Sequence, residues 1–248
     1  LTGDAADAVA AQVAKLAEIR PTGVATSQVP LYVNDPVAVT AEGTPVRIVR
    51  NAETNLGDLC ADAYRALSNA DIAFVNGGGI RKQIEAGDIT LDDIYSVHPF
   101  GNTMCVIRVT GQQVLAALDW GARAVPGEMG GFLQVSGLTY EIHTGVASSA
   151  EKDENGMFTR VSGEYRVKNV MVGGQPLELD KTYTLASHNY MLLGHGDGYT
   201  MFDGCEVLGE DMMVDNQVLI TYITTTLGGV VGEQYANPYG DGRIVAVE

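Results

Sequence analysis

Ile72-Ala73-Phe74-Val75-Asn76-Gly77-Gly78-Gly79-Ile80-Arg81 joins four apolar residues to three glycines and closes on an arginine. The apolar run predicts a short strand. Upstream, Thr54 to Leu67 predicts a helix with Leu56, Leu59, Cys60, Ala63 and Leu67 inward, broken at Asn69-Ala70-Asp71. The glycines leave two readings open. One is a loop that presents backbone N–H groups and lets a ligand come close; the other is a plain sharp turn. Neither GxxxxGK followed by Ser or Thr, nor GxGxxG opening a helix, is present.

Working outward, Val46 to Val49 predicts a strand leading to Arg50, Gly87 to Thr90 a turn, and Thr90 to Tyr95 a short helix. Met104 to Val109 reads as a strand and Gly111 to Ala124 as a helix. From Gly130 on, short β-like runs alternate with glycine turns: Leu138 to His143, then a hairpin over Val167 to Leu179. Ala147 to Gly163 reads as a solvated loop or irregular hairpin, and Thr182 to Ala186 as a strand. Asp215 to Thr226 predicts a helix weakened by β-branched residues, and Arg243 to Val247 a last strand. At the other end, Asp4 to Ile19 predicts a helix. The expected class is α+β: mixed β-sheet structure with packed helices, lacking a βαβ rhythm. We expect a linker-type helix over 1–20 and one domain over 21–248.

The formal charge is -16, from 31 acidic and 15 basic residues without a Lys/Arg cluster, which argues against a nucleic-acid partner. Apolar residues make up 46%, which excludes disorder as the class. No apolar run is long enough to span a membrane. The three cysteines, Cys60, Cys105 and Cys205, form neither a disulfide framework nor a zinc motif. The chain opens at Leu1-Thr2-Gly3-Asp4, a start expected of a processed or excised piece.

Arg50 and Arg81 arrive from two strand ends, which points to an anion site as well as to surface charge. Phe100, beside a rigid turn, and Tyr190, after a strand, are two loop aromatics that could sandwich a planar ring or simply cover the core. Asp197, between glycines, could meet ligand hydroxyls or sit in a tight turn. The four histidines, His98, His143, His188 and His195, make no metal-binding spacing. Ser187 and His188 are neighbours on a strand and should diverge, which disfavours a serine hydrolase.

Taken in order, Arg50, Glu53-Thr54-Asn55-Leu56-Gly57-Asp58-Leu59, Asn76 to Arg81, Pro99-Phe100-Gly101, Asn189-Tyr190 and Gly196-Asp197-Gly198-Tyr199 resemble the C-terminal, substrate-binding domain of the 5'-nucleotidase family. That family includes UDP-sugar hydrolases and 2',3'-cyclic-nucleotide phosphodiesterases. The resemblance is strong over Thr44 to Phe202. It implies an extracytoplasmic, two-domain hydrolase whose N-terminal metallophosphoesterase domain holds two divalent metals, with that domain absent here. This chain is then expected to bind a nucleoside or nucleotide, to contain no catalytic residue, metal ligand or cofactor of its own, and to be inactive alone. By the resemblance, Asn76 meets the base and Phe100 and Tyr190 stack it, with Tyr190 standing where relatives usually carry Phe. Asp197 meets the ribose, Arg50 and Arg81 hold the polar part, and Gly77, Gly78 and Gly79 shape the loop. A binding module for nucleosides or sugars without catalysis is the alternative.

Overall fold

The computed structural model describes residues 22–248 together with Asp7, Ala8, Ala10, Ala11, Ala14 and Lys15. Those six are helical; the rest of the helix expected over Asp4 to Ile19 lies outside the described residues. In chain order the elements are β1 (Gly23–Ser27), β2 (Asn34–Val39), β3 (Pro45–Arg47), α1 (Asn55–Ser68), β4 (Ile72–Asn76), β5 (Gly87–Thr90), α2 (Leu91–Val97), β6 (Met104–Thr110) and α3 (Gly111–Ala122). Then follow β7 (Leu133–Ser136), β8 (Leu138–His143), β9 (Ala150–Lys152), β10 (Phe158–Val161), β11 (Val167–Val172), β12 (Gln175–Pro176), β13 (Thr182–His188), α4 (Asn189–Leu192), β14 (Glu206–Gly209), α5 (Asp215–Thr221), β15 (Val230–Val231) and β16 (Ile244–Val247).

A five-stranded sheet, β14-β6-β13-β4-β7, organises the molecule. β4 is buried at every residue. Its side chains alternate between two cores: Ala73 and Val75 pack with Leu56 and Leu59 of α1 and Val218 of α5, while Ile72 and Phe74 pack with Leu118 and Trp120 of α3. A strand covered on both faces needs apolar residues at both parities, so its sequence is a run and not an alternation. A second sheet, β12-β11-β8-β16, joins the α3 side through Leu138, Tyr140, Ile142 and Val167. The structure is thus a mixed α/β fold with several sheets and packed helices.

The helix α1 forms where its pattern predicts. The Thr54 side chain accepts from the Gly57 N–H, and Asn69 ends the helix in the left-handed region at φ 54°. Other expectations need correction. Gly87 to Thr90 is not a turn but an edge strand, paired with β1. The strand before Arg50 is confined to Pro45–Arg47. The late helix changes character at Tyr222, where a π-helical turn runs to Thr226. There the Thr224 and Thr225 hydroxyls donate back to the Ile220 and Thr221 carbonyls, competing with the helical ladder. Strands β1, β2, β7, β14 and β15 were not anticipated.

Register explains what the sheet positions. β13 runs parallel to β4, with Ala186 beside Ala73, so Asn76 and His188 leave the sheet at one edge. β7 and β6 are antiparallel to their neighbours, pairing Asn76 with Leu133 and His188 with Met104. The segments just before Leu133 and Met104 therefore reach that same edge. Among the described residues no helix is long and apolar enough to cross a membrane.

Candidate functional site

Arg50, Asn76, Arg81, Phe100, Tyr190 and Asp197 all line one cavity of about 510 Å³ at that edge, with Gly78, Gly79, Asn102 and Gly130. Asn76 ends β4, Phe100 follows α2, Tyr190 lies in α4, and Asp197 sits in a 3-10 turn over Gly196–Gly198. Asn102 and Gly130 were not singled out from the sequence. Asn102 belongs to the same short stretch as Phe100, which was the available signal.

Each glycine of the triplet stands where a side chain would collide. A Cβ on Gly77 would lie 2.1 Å from the Val49 carbonyl oxygen, one on Gly78 2.9 Å from the Gly130 oxygen, and one on Gly79 2.7 Å from Asn76 Oδ1. The Gly77 and Gly78 N–H groups donate to the Phe132 and Gly130 carbonyls, each at 2.7 Å, so they are already engaged within the protein.

The polar wall is a connected set. Asn76 Nδ2 donates to Asp197 Oδ2 at 2.7 Å, and the Tyr190 hydroxyl donates to Asp197 Oδ1 at 3.2 Å. Asp197 stands at φ 56°, an uncommon conformation for a non-glycine residue. Trp120 Nε1 holds its carbonyl at 3.0 Å. The Tyr190 ring lies so close to Gly196 that a Cβ there would be 2.3 Å from the ring edge. Phe100 and Tyr190 remain 60% and 44% exposed, which is unusual for large rings facing one cavity.

Two arginines, Arg50 and Arg81, line the same cavity. Burial, then Arg47 and Arg81, lowers the pKa of Arg50. Its Nε is buried with no hydrogen-bond partner. Arg81 places its guanidinium 5.8 Å from the Phe100 ring centre and donates to the Gly78 carbonyl.

Ser187 and His188 diverge as expected. The Ser187 hydroxyl donates to the Phe74 carbonyl, while His188 Nε2 lies 3.0 Å from Asn76 Oδ1. The three cysteines are free. The expectation that this chain has no metal ligands is corrected: Glu53, Asp58 and Asp241 bring ligand atoms within 4.8 Å of one another, a group that could hold a cation. Around it, Glu53 accepts from the Asp241, Gly242 and Ile244 N–H groups, and Arg243 approaches Asp58 at 3.5 Å. Burial raises the pKa of the Asp58 carboxyl, and the Arg243 guanidinium opposes that rise.

The chain matches the profile described as 5'-nucleotidase, C-terminal domain, over residues 26–204. It belongs to this family. It is 36% identical over 203 residues to the trifunctional nucleotide phosphoesterase protein YfkN of Bacillus subtilis, covering 80% of this chain and 13% of that protein. It is 33% identical over 176 residues to a 5'-nucleotidase of Vibrio cholerae, covering 71% of this chain and 28% of that one. The solved 5'-nucleotidase precursor of Thermus thermophilus superposes with a TM-score of 0.75 at 29% identity, covering 98% of this chain and 43% of that chain. The chain therefore spans less than half of each of these relatives.

One stability prediction concerns a residue two positions before Phe100 of this 5'-nucleotidase-family domain. His98 is buried, its Nε2 has no partner, and burial pulls its pKa from 6.5 to about 4. The folded ring stays neutral while the unfolded chain gains a proton below about pH 6.5. Stability therefore falls as pH drops between about 6.5 and about 4, by on the order of 3 kcal/mol from this group. His98→Leu is expected to lose less stability than the unaltered chain between about pH 7 and about pH 4. Urea melts at the two pH values check this, and identical losses would refute it.

Proposed function

We propose that this chain is the nucleoside-recognition domain of a nucleotide phosphohydrolase of the 5'-nucleotidase family. The base lies between Phe100 and Tyr190 and meets Asn76 at its edge. Asp197 accepts from the ribose hydroxyls, and Arg50 and Arg81 hold the anionic end. The observation that carries this reading is the pair of exposed rings lining one cavity with Arg50, whose buried Nε has no hydrogen-bond partner. Flat apolar faces next to fixed donors and acceptors suit a nucleoside better than a sugar.

Chemistry on phosphorus then belongs to a metallophosphoesterase domain outside these 248 residues. The residues described above orient: they fix the nucleoside so that its phosphate projects toward the partner domain. Residues 1–20 would connect the two domains and 21–248 form the binding domain. An extracytoplasmic location accompanies this reading.

Calorimetric titration tests it. Adenosine is expected to bind the purified chain weakly and saturably, while AMP supplied with Mn²⁺ is not turned over. Absence of saturable adenosine binding would sink the nucleoside reading, and AMP turnover would sink the division of labour.

A further inference from the structure

We propose that His188 is a positioning residue that sets the direction of hydrogen bonding along the pocket's polar wall. The inference rests on the nucleoside reading above and adds to it a residue buried behind the pocket that touches no ligand.

The argument begins with the Asn76 amide. Its two ends are distinguishable only by their partners. One end lies 2.7 Å from Asp197 Oδ2. A carboxylate oxygen accepts, so the amide nitrogen must face it. The amide oxygen then faces His188 Nε2 at 3.0 Å. An acceptor at that distance requires a donor, so the hydrogen of the neutral ring sits on Nε2. The other ring nitrogen, Nδ1, is buried and makes no side-chain hydrogen bond, so the Asn76 contact alone fixes the tautomer. Burial and the nearby His98 hold the ring neutral, pulling its pKa to about 3. The ring is also fixed in place. The Tyr64 ring meets it edge-on at 6.3 Å, and the Tyr190 ring lies 5.9 Å away.

The run is therefore one-way. His188 donates to Asn76, and Asn76 donates to Asp197. From the other side the Tyr190 hydroxyl donates to Asp197 and accepts from the Asp197 N–H at 3.2 Å. What remains for a ligand follows by subtraction. Asn76 offers its second N–H, a donor, and Asp197 offers lone pairs. The wall thus suits a base that turns an acceptor toward Asn76 and a sugar that turns hydroxyls toward Asp197. Without a donor at position 188 the Asn76 oxygen is buried and unmatched, because Asn76 is only 5% exposed. The amide then loses the anchor that holds its nitrogen on Asp197.

Two measurements test this. In the unaltered chain without ligand, nitrogen NMR of the imidazole is expected to show the neutral form protonated at Nε2; protonation at Nδ1 overturns the proposal. In binding, His188→Leu is expected to weaken adenosine affinity about tenfold, whereas His188→Gln, which restores an N–H donor, stays within about threefold of the unaltered chain. Thermal midpoints are recorded alongside. A merely structural role would lower affinity with stability in both variants alike, and that outcome, or unchanged affinity in His188→Leu, also overturns it. If the unaltered chain binds no adenosine, the nucleoside reading fails, while the ligand-free spectrum still decides the protonation of His188.

Discussion

Replacing both Phe100 and Tyr190 with alanine is expected to weaken adenosine binding by at least about thirtyfold, at roughly 1–3 kcal/mol for each stacked face. The two rings are not equivalent. Phe100 is 60% exposed, so Phe100→Ala should remove stacking with little effect on the thermal midpoint. Tyr190→Ala removes stacking and also the hydroxyl that donates to Asp197. The two losses share a ligand and need not add, so both single variants belong beside the double. Calorimetry with adenosine reads the affinities. An affinity unchanged in the double variant would remove the stacked-base arrangement altogether.

The second large effect concerns folding. Gly77→Ala is expected to destabilise the chain by about 3 kcal/mol, because its methyl would overlap a backbone oxygen in a packed region. That oxygen, on Val49, lies 2.1 Å from the Cβ position and also accepts from Gln134 Nε2 at 3.0 Å. Gly77 itself is tied to Phe132 through its N–H. Neither side can yield without breaking a hydrogen bond. For a domain of this size the thermal midpoint should fall by roughly 6–12 °C. Gly23→Ala is the control, since a Cβ there meets nothing within 4 Å. Equal midpoints for Gly77→Ala and the unaltered chain would show that the loop has more slack than its contacts indicate.

Legibility in the sequence followed the range of each interaction. Thr54, the apolar spacing through Leu67 and the stop at Asn69 all lie within one helix, and that helix was readable. Ile72 to Val75 was readable because burial on both faces demands a continuous apolar run. Leu133 to Ser136 was not, although every residue is buried. Gln134 donates to the Val49 and Ala52 carbonyls and Ser136 donates to Asp62, partners far away in the chain that make buried polar residues affordable. The strand Gly87–Thr90 was hidden by a turn-like opening, with Gly87 at φ 122°. For the site, the ordered motifs named six residues, and these line one cavity. The direction of the Asn76 amide and the place of His188 depend on contacts between strands, which spacing does not encode. The Glu53, Asp58 and Asp241 group escaped for the same reason, since Asp241 comes from the opposite end of the chain.

The contact between Tyr190 and Gly196 has a mechanical consequence. With its ring pressed on the Gly196 backbone and its hydroxyl tied to Asp197, Tyr190 behaves as the fixed jaw of a vice. Phe100 has the Arg81 guanidinium 5.8 Å from its ring centre and faces solvent, so it is the jaw with fewer fixed contacts. On the proposed reading, every nucleoside is gauged from the same reference plane. Differences in breadth between a one-ring and a two-ring base are then taken up at Phe100, and the sugar keeps its address at Asp197.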